Sequence, residues 1–194
     1  MKAFFRKNLT IPNILSFIRL LLVPVYAILF FKDRMIPALC VFLAASLTDF
    51  LDGYIARKYN LITDLGKLLD PLADKLMVLT SMFCLAIGTA AFPPVIPWAA
   101  VIILLCKEGL MILGGMFMLR KKIVVASVMA GKAAHCVFLA ALIAGHFHPF
   151  WVRLCPGWFM TPDVMLVWLA VILTLYALYV YASRCLKALK RGQW

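Results

Sequence analysis

Six stretches of this chain, roughly 11–31, 36–56, 66–88, 95–119, 127–147 and 162–183, are each apolar over about 20 residues, the length a helix needs to cross a bilayer's hydrocarbon core. Breakers separate them: Lys32-Asp33-Arg34, the polar Lys58–Asp64 turn, Pro93-Pro94, Arg120-Lys121-Lys122, and the segment from His148 to Pro162. With 65% hydrophobic residues, the chain lies outside the range of soluble globular domains. The expectation is an all-α, polytopic membrane protein with six transmembrane helices, forming a single domain over 1–194. The opening MKAFFRKNLT mixes basic and aromatic residues and reads as a short N-terminal helix in the headgroup plane. It lacks the small-residue cleavage site of a signal peptide.

A net charge of +12 would suggest nucleic acid in a soluble protein. Here the basic residues sit mostly at the ends of apolar runs, so anionic lipid headgroups are the expected partner and nucleic acid is not. Placing both termini in the cytoplasm puts twelve basic residues inside, among them Lys2, Arg57, Lys58, Arg120 and Arg184, against Lys32, Arg34 and Arg153 outside. That imbalance sets the orientation, most simply in a bacterial plasma membrane. The six cysteines have no CxxC spacing and read as small packing residues. His146 and His148 read as interfacial, within an aromatic belt of Phe147, Phe150, Trp151 and Trp158.

Ten charged residues fall inside the apolar stretches: Arg19, Lys67, Lys75, Lys107, Lys132, Asp49, Asp52, Asp70, Asp74 and Glu108. Each costs about 2.5–3.5 kcal/mol at mid-membrane, so they are expected to share a partly hydrated cavity. Asp49 and Asp52, three apart, share one helical face, and Asp70 and Asp74, four apart, share another. The short connection makes these two helices antiparallel neighbours. Four clustered carboxylates are either partly protonated or neutralised by a multivalent cation. Oxygen ligands select a hard ion, Mg²⁺, Mn²⁺ or Ca²⁺. Four such groups can hold two ions, an arrangement suited to phosphoryl displacement. Arg19 either reaches a phosphate or neutralises an acid. Gly53, Ala56 and Gly66 either let helices approach closely or make room for a ligand. A divalent-cation transporter would also explain buried carboxylates, but the deep lysines would repel its cargo.

The pattern Asp49-x2-Asp52-Gly53-x2-Ala56-Arg57-x8-Gly66-x3-Asp70-x3-Asp74 resembles, position for position, the signature of the CDP-alcohol phosphotransferases. The stretch IPNILSFIRLLLVP resembles the opening of the phosphatidylglycerophosphate and cardiolipin synthases. The resemblance implies that an acceptor hydroxyl attacks the β-phosphorus of CDP-diacylglycerol, releasing CMP. It implies Asp49, Asp52 and Asp70 as ligands of Mg²⁺ or Mn²⁺, two ions in all. Asp74 would be the general base and a ligand of the second ion. Gly53, Ala56, Arg57 and Gly66 would bind the nucleotide of the donor, and the enzyme would be a homodimer. Lys107 and Lys132 are the cations available to an anionic acceptor, glycerol 3-phosphate in the favoured reading. Phosphatidylglycerol, the acceptor of a cardiolipin synthase, is the alternative. Where phosphatidylglycerophosphate synthases are expected to carry Arg-Glu and Gly-Lys-x-Lys-Thr, this chain has Lys107-Glu108 and Gly131 to His135, GKAAH. Lysine is a point charge and does not clamp phosphate as arginine does.

Overall fold

The computed structural model describes residues 11–58, 64–121 and 129–190, with side chains there except at 11, 12, 50–71, 119 and 188–190. Every regular element among these residues is a helix. In chain order they are α1 (Ile11–Phe31), α2 (Met35–Lys58), α3 (Asp64–Ile87), α4 (Trp98–Arg120), α5 (Met129–Gly145), α6 (His148–Leu154) and α7 (Pro162–Lys190). The six long helices track the six apolar stretches to within a few residues at most ends, α7 running further, to Lys190. The helix expected in the first ten residues lies outside the described ones. Among the described residues, three segments are long and apolar enough to cross a membrane: Asn13–Phe31, Trp98–Met118 and Pro162–Lys187. α5 and α6 make a fourth if they form one bent span. The apolar part of α2, Met35–Asp49, is shorter. α2 and α3 are the helices that carry the carboxylates.

The chain forms two compact units, Met1–Pro93 and Pro94–Trp194. In the first, α1 is the hub. α2 and α3 each pack chiefly on α1 and, among the described residues, only sparingly on one another. They do touch, and the side chains at 50–71, on either side of their short connection, lie outside the described ones. Tyr26 of α1 explains the arrangement. It is fully buried, its ring centroid lies 6.2 Å from that of Phe42 on α2, and its hydroxyl donates to Ser81 of α3 at 3.1 Å. On α2 the buried residues Ala38, Phe42 and Ala45 recur at i, i+4 and i+7, a stripe facing one partner. Two small residues in it let the backbones come close, which matters where lipid is as apolar as the core. At the far end Asp33 takes a left-handed conformation, φ 57°, to turn the chain from α1 into α2. The Thr89 hydroxyl donates to its carboxylate, tying that turn to the exit of α3.

In the second unit α7 is the hub for α4 and α5. α5 buries Ala134, Phe138, Ala141 and Gly145 along one stripe, and α7 buries Asp163, Val167, Ala170, Thr174 and Ala177. After Gly145 the chain bends by 78° into α6. Side chains lock this elbow. The His146 ring meets the Leu142 carbonyl at 2.8 Å, and the Trp151 indole donates to the Ala144 carbonyl at 3.0 Å. The Ala144 carbonyl also accepts from the Phe147 N–H at 2.9 Å, so the bend is held by backbone and side chain together. His148 Nδ1 lies 2.6 Å from Asp163 Oδ2, joining α6 to the first turn of α7. Sequence places His146 and His148 at an interface; within the unit His146 is buried, and His148 is a staple to a carboxylate that is 0% exposed. An exposed rim of Phe147, Phe150, Trp158 and Phe159 remains, while Trp151 is half-buried in its capping role.

Removing the hydrogen-bond partner of a buried polar group leaves that group unsatisfied. His148→Ala should therefore destabilise the protein by about 1–3 kcal/mol, whereas Phe159→Ala, on the exposed rim, should change stability by less than about 0.5 kcal/mol. Denaturant unfolding of the purified protein in detergent measures both. Equal stabilities would remove the staple.

Candidate active site

The buried stripe of α1 changes chemistry along its length. Toward α2 it is aromatic, with Tyr26 and Phe30; toward the N-terminus it is polar, with Asn13, Ser16 and Arg19 all buried. The spacing of three between these polar residues, inside IPNILSFIR, is the sequence signal for a polar face that the apolar reading passed over.

Arg19 is the pivot. Its side chain is 1% exposed, and its Nη1 donates to Asp49 Oδ1 at 2.6 Å, the length of a charge-assisted bond. Of the two readings of Arg19, neutralising an acid is the one the structure shows. Asp49 continues the α2 stripe of Ala38, Phe42 and Ala45 by one more step of four. It therefore points to α1 for the same reason those residues do. Yet the Asp49 side chain is 44% exposed. One oxygen is held from within the unit while the rest of the carboxylate stays open. The hydroxyls of Ser46 and Thr48 turn back onto the carbonyls of Phe42 and Ala45, at 2.9 and 2.7 Å, and satisfy themselves within α2.

Asp74 is half-buried in the first half of α3, next to the fully packed Ala73. Asp52, Gly53, Ala56 and Arg57 fall on α2, and Gly66 and Asp70 on α3; their side chains lie outside the described residues. Among the described residues no three His, Cys, Asp or Glu side chains cluster as a metal site, and only two of the four motif carboxylates are included in that description. What is visible fits a hard cation. Asp49 is an oriented, exposed oxygen donor at the edge of an apolar helix.

The carboxylates belong to the first unit, Lys107 and Lys132 to the second. Lys107 Nζ donates to Glu108 Oε1 at 2.5 Å, and both side chains are partly buried. The contact partly compensates the Lys107 ammonium within α4. Lys107 follows Ala100, Val101 and Leu104 along the inward stripe of α4. Lys132 lies on α5 and is exposed within its unit. His135 is exposed as well.

Asp163 was not singled out by sequence, although it directly follows Pro162 at the head of an apolar stretch. An open groove of about 470 Å³ adjoins it, lined by His148, Cys155, Trp158, Phe159 and Thr161 among others. That groove holds none of the motif residues.

Residues 9–176 match the CDP-alcohol phosphatidyltransferase family. Over 198 aligned residues, 93% of this chain and 97% of the relative, the chain is 32% identical to a CDP-diacylglycerol–glycerol-3-phosphate 3-phosphatidyltransferase of Bacillus subtilis. It is 34% identical to a protein of the same name from Aquifex aeolicus, over 64% of this chain and 68% of that one. A shorter match, to the enzyme of that name from Rickettsia typhi, reaches 53% identity over 76 residues, 37% of this chain and 41% of the relative. The chain thus spans about two fifths of the length of its Rickettsia relatives.

Proposed function

We propose that this chain, which belongs to the CDP-alcohol phosphatidyltransferase family, transfers a phosphatidyl group from CDP-diacylglycerol to glycerol 3-phosphate, giving phosphatidylglycerophosphate and CMP. The observation that carries the reading is the Asp49-to-Asp74 motif, with Asp49 held open by a buried arginine. The protein is read as one integral membrane domain of six spans with both termini in the cytoplasm, acting as a homodimer among anionic lipids. The alternative acceptor, phosphatidylglycerol, has a specific point in its favour. The chain is 48% identical over 83 residues to a cardiolipin synthase fusion protein of Schizosaccharomyces pombe. The match along nearly the full Bacillus protein weighs more.

In this reading the acceptor hydroxyl forms a new bond to the β-phosphorus as the bond from that phosphorus to the CMP oxygen breaks. Asp74 accepts the hydroxyl proton, and CMP leaves with the bonding electrons. Asp49, Asp52 and Asp70, with a share from Asp74, would hold two Mg²⁺ or Mn²⁺ ions. Bound there, such ions would supply charge neutralisation for the diphosphate. Gly53, Ala56 and Gly66 would leave the nucleotide room beside the helices, and Arg57 would face its phosphates. Lys107 and Lys132 would receive the acceptor's phosphate. A cation transporter would need none of the small residues at the family's spacing.

The test offers purified protein CDP-diacylglycerol with a panel of acceptors and weighs the lipid product. Phosphatidylglycerophosphate should form from glycerol 3-phosphate, stop in excess EDTA and resume with Mg²⁺ or Mn²⁺. Cardiolipin formed from phosphatidylglycerol would instead select the alternative.

Asp74→Asn preserves size and an oxygen but takes up no proton. It should keep CDP-diacylglycerol binding while kcat falls roughly 10²- to 10⁴-fold. A near wild-type kcat would assign the base elsewhere. Lys132→Met removes one charge-assisted contact of about 1.5–3 kcal/mol. The KM for glycerol 3-phosphate should rise roughly 10- to 150-fold, with little change for the donor. An unchanged acceptor KM in both Lys132→Met and Lys107→Met would move the anionic acceptor away from these lysines.

A further inference from the structure

Packing alone does not account for a guanidinium at position 19. Arg19 is among the largest side chains with essentially no exposure, and it lies on the α1 stripe that Tyr26 and Phe30 fill with apolar surface. Well-packed apolar residues in place of buried ion pairs are often neutral or stabilising, because burying charge is costly. Nor does Arg19 enclose Asp49. The Asp49 side chain is 44% exposed. The dependence runs the other way in energy: the buried partner needs the exposed one. What the pair adds for Asp49 is geometry. Nη1 meets Oδ1 at 2.6 Å across 30 residues of sequence, from a helix whose rotation is fixed by Tyr26 against both neighbours.

We infer that Arg19 is a positioning residue for the donor site: it fixes the rotamer of Asp49 so that the remaining carboxylate surface is presented to a divalent cation. The inference rests on the reading of Asp49 as a metal ligand, and it adds a residue outside the carboxylate motif, on a different helix. Partners that orient metal ligands through their second atom are a general feature of metal sites, and altering them weakens metal affinity roughly 10- to 100-fold. The planar guanidinium of arginine sets the direction of its Nη1 donor rigidly; the flexible ammonium of lysine does not. Charge neutralisation and positioning therefore separate experimentally, because Arg19→Lys keeps the charge and loses the planar group.

The probe is Mn²⁺ alone, titrated by electron paramagnetic resonance into the purified full chain in nanodiscs, without substrate. Arg19→Lys should bind Mn²⁺ roughly 10- to 100-fold more weakly than wild type. Asp49→Asn should be weakened as well. Combining the two should cost no more than Asp49→Asn alone, because the arginine acts through that carboxylate. Lys in place of Arg19 with affinity within twofold of wild type would overturn the inference and leave Arg19 a neutralising group. Additive losses in the double variant would also overturn it. A wild-type protein that binds no Mn²⁺ would sink the metal reading itself, and this inference with it. Should Arg19→Lys fail to fold, Arg19→Gln with the same double-variant comparison supplies the same readout.

Discussion

A charge inside an apolar helix bundle must be answered within the bundle, and the chain does this twice with the same construction. In the first unit the α2 stripe of Ala38, Phe42 and Ala45 runs on to Asp49, which meets Arg19. In the second the α7 stripe of Ala177, Thr174, Ala170 and Val167 runs on to Asp163, which meets His148. Exposure distinguishes the two. Asp163 is 0% exposed and spends itself on the elbow. Asp49 is 44% exposed while its partner is the buried member. A sealed pair is a structural staple, whereas a pair open on the carboxylate side is one from which a ligand can be held. The contrast comes from the molecule's own geometry and agrees with the motif that singles out Asp49 and passes over Asp163.

The helices were legible because their boundaries are chemical. Lys32-Asp33-Arg34 and Pro93-Pro94 interrupt apolar runs at points where the chain turns, and the ends of α1, α2 and α4 fall where these breakers place them. The motif was legible through spacing: carboxylates three and four apart on helices must share faces, whatever those helices pack against. Partner choice was not legible. Connection length suggested that α2 lies on α3, and the two do touch, but the chief partner of each among the described residues is α1, because a stripe specifies a face and not its neighbour. The neighbour was decided by Tyr26, which offers a ring to one helix and a hydroxyl to the other. The elbow was hidden for a related reason. His146, Phe147, His148 and Trp151 have the composition of a headgroup belt. Their capping of Leu142 and Ala144 depends on a 78° bend that no local periodicity encodes.

Lys107 and Lys132 occupy unlike settings, and that difference bears on how the proposed acceptor would be held. Lys107 and Glu108 are adjacent on α4, about 100° apart around the helix, so neither lies squarely on the other's face. Their 2.5 Å contact bends the long lysine stem around the helix surface, and it compensates the ammonium before any substrate arrives. A phosphate brought to Lys107 must share it with Glu108, which opposes the incoming negative charge. Lys132 is exposed and carries no such neighbour beside it in sequence. Of the two cations, Lys132 would therefore supply attraction at lower cost in the proposed reaction, and Lys107 would supply selectivity. With Glu108 in place, only a ligand whose charge outweighs that carboxylate gains from Lys107. A phosphate monoester such as glycerol 3-phosphate carries up to two negative charges where a phosphodiester carries one, so in the proposed reaction the Lys107–Glu108 pair would favour the former.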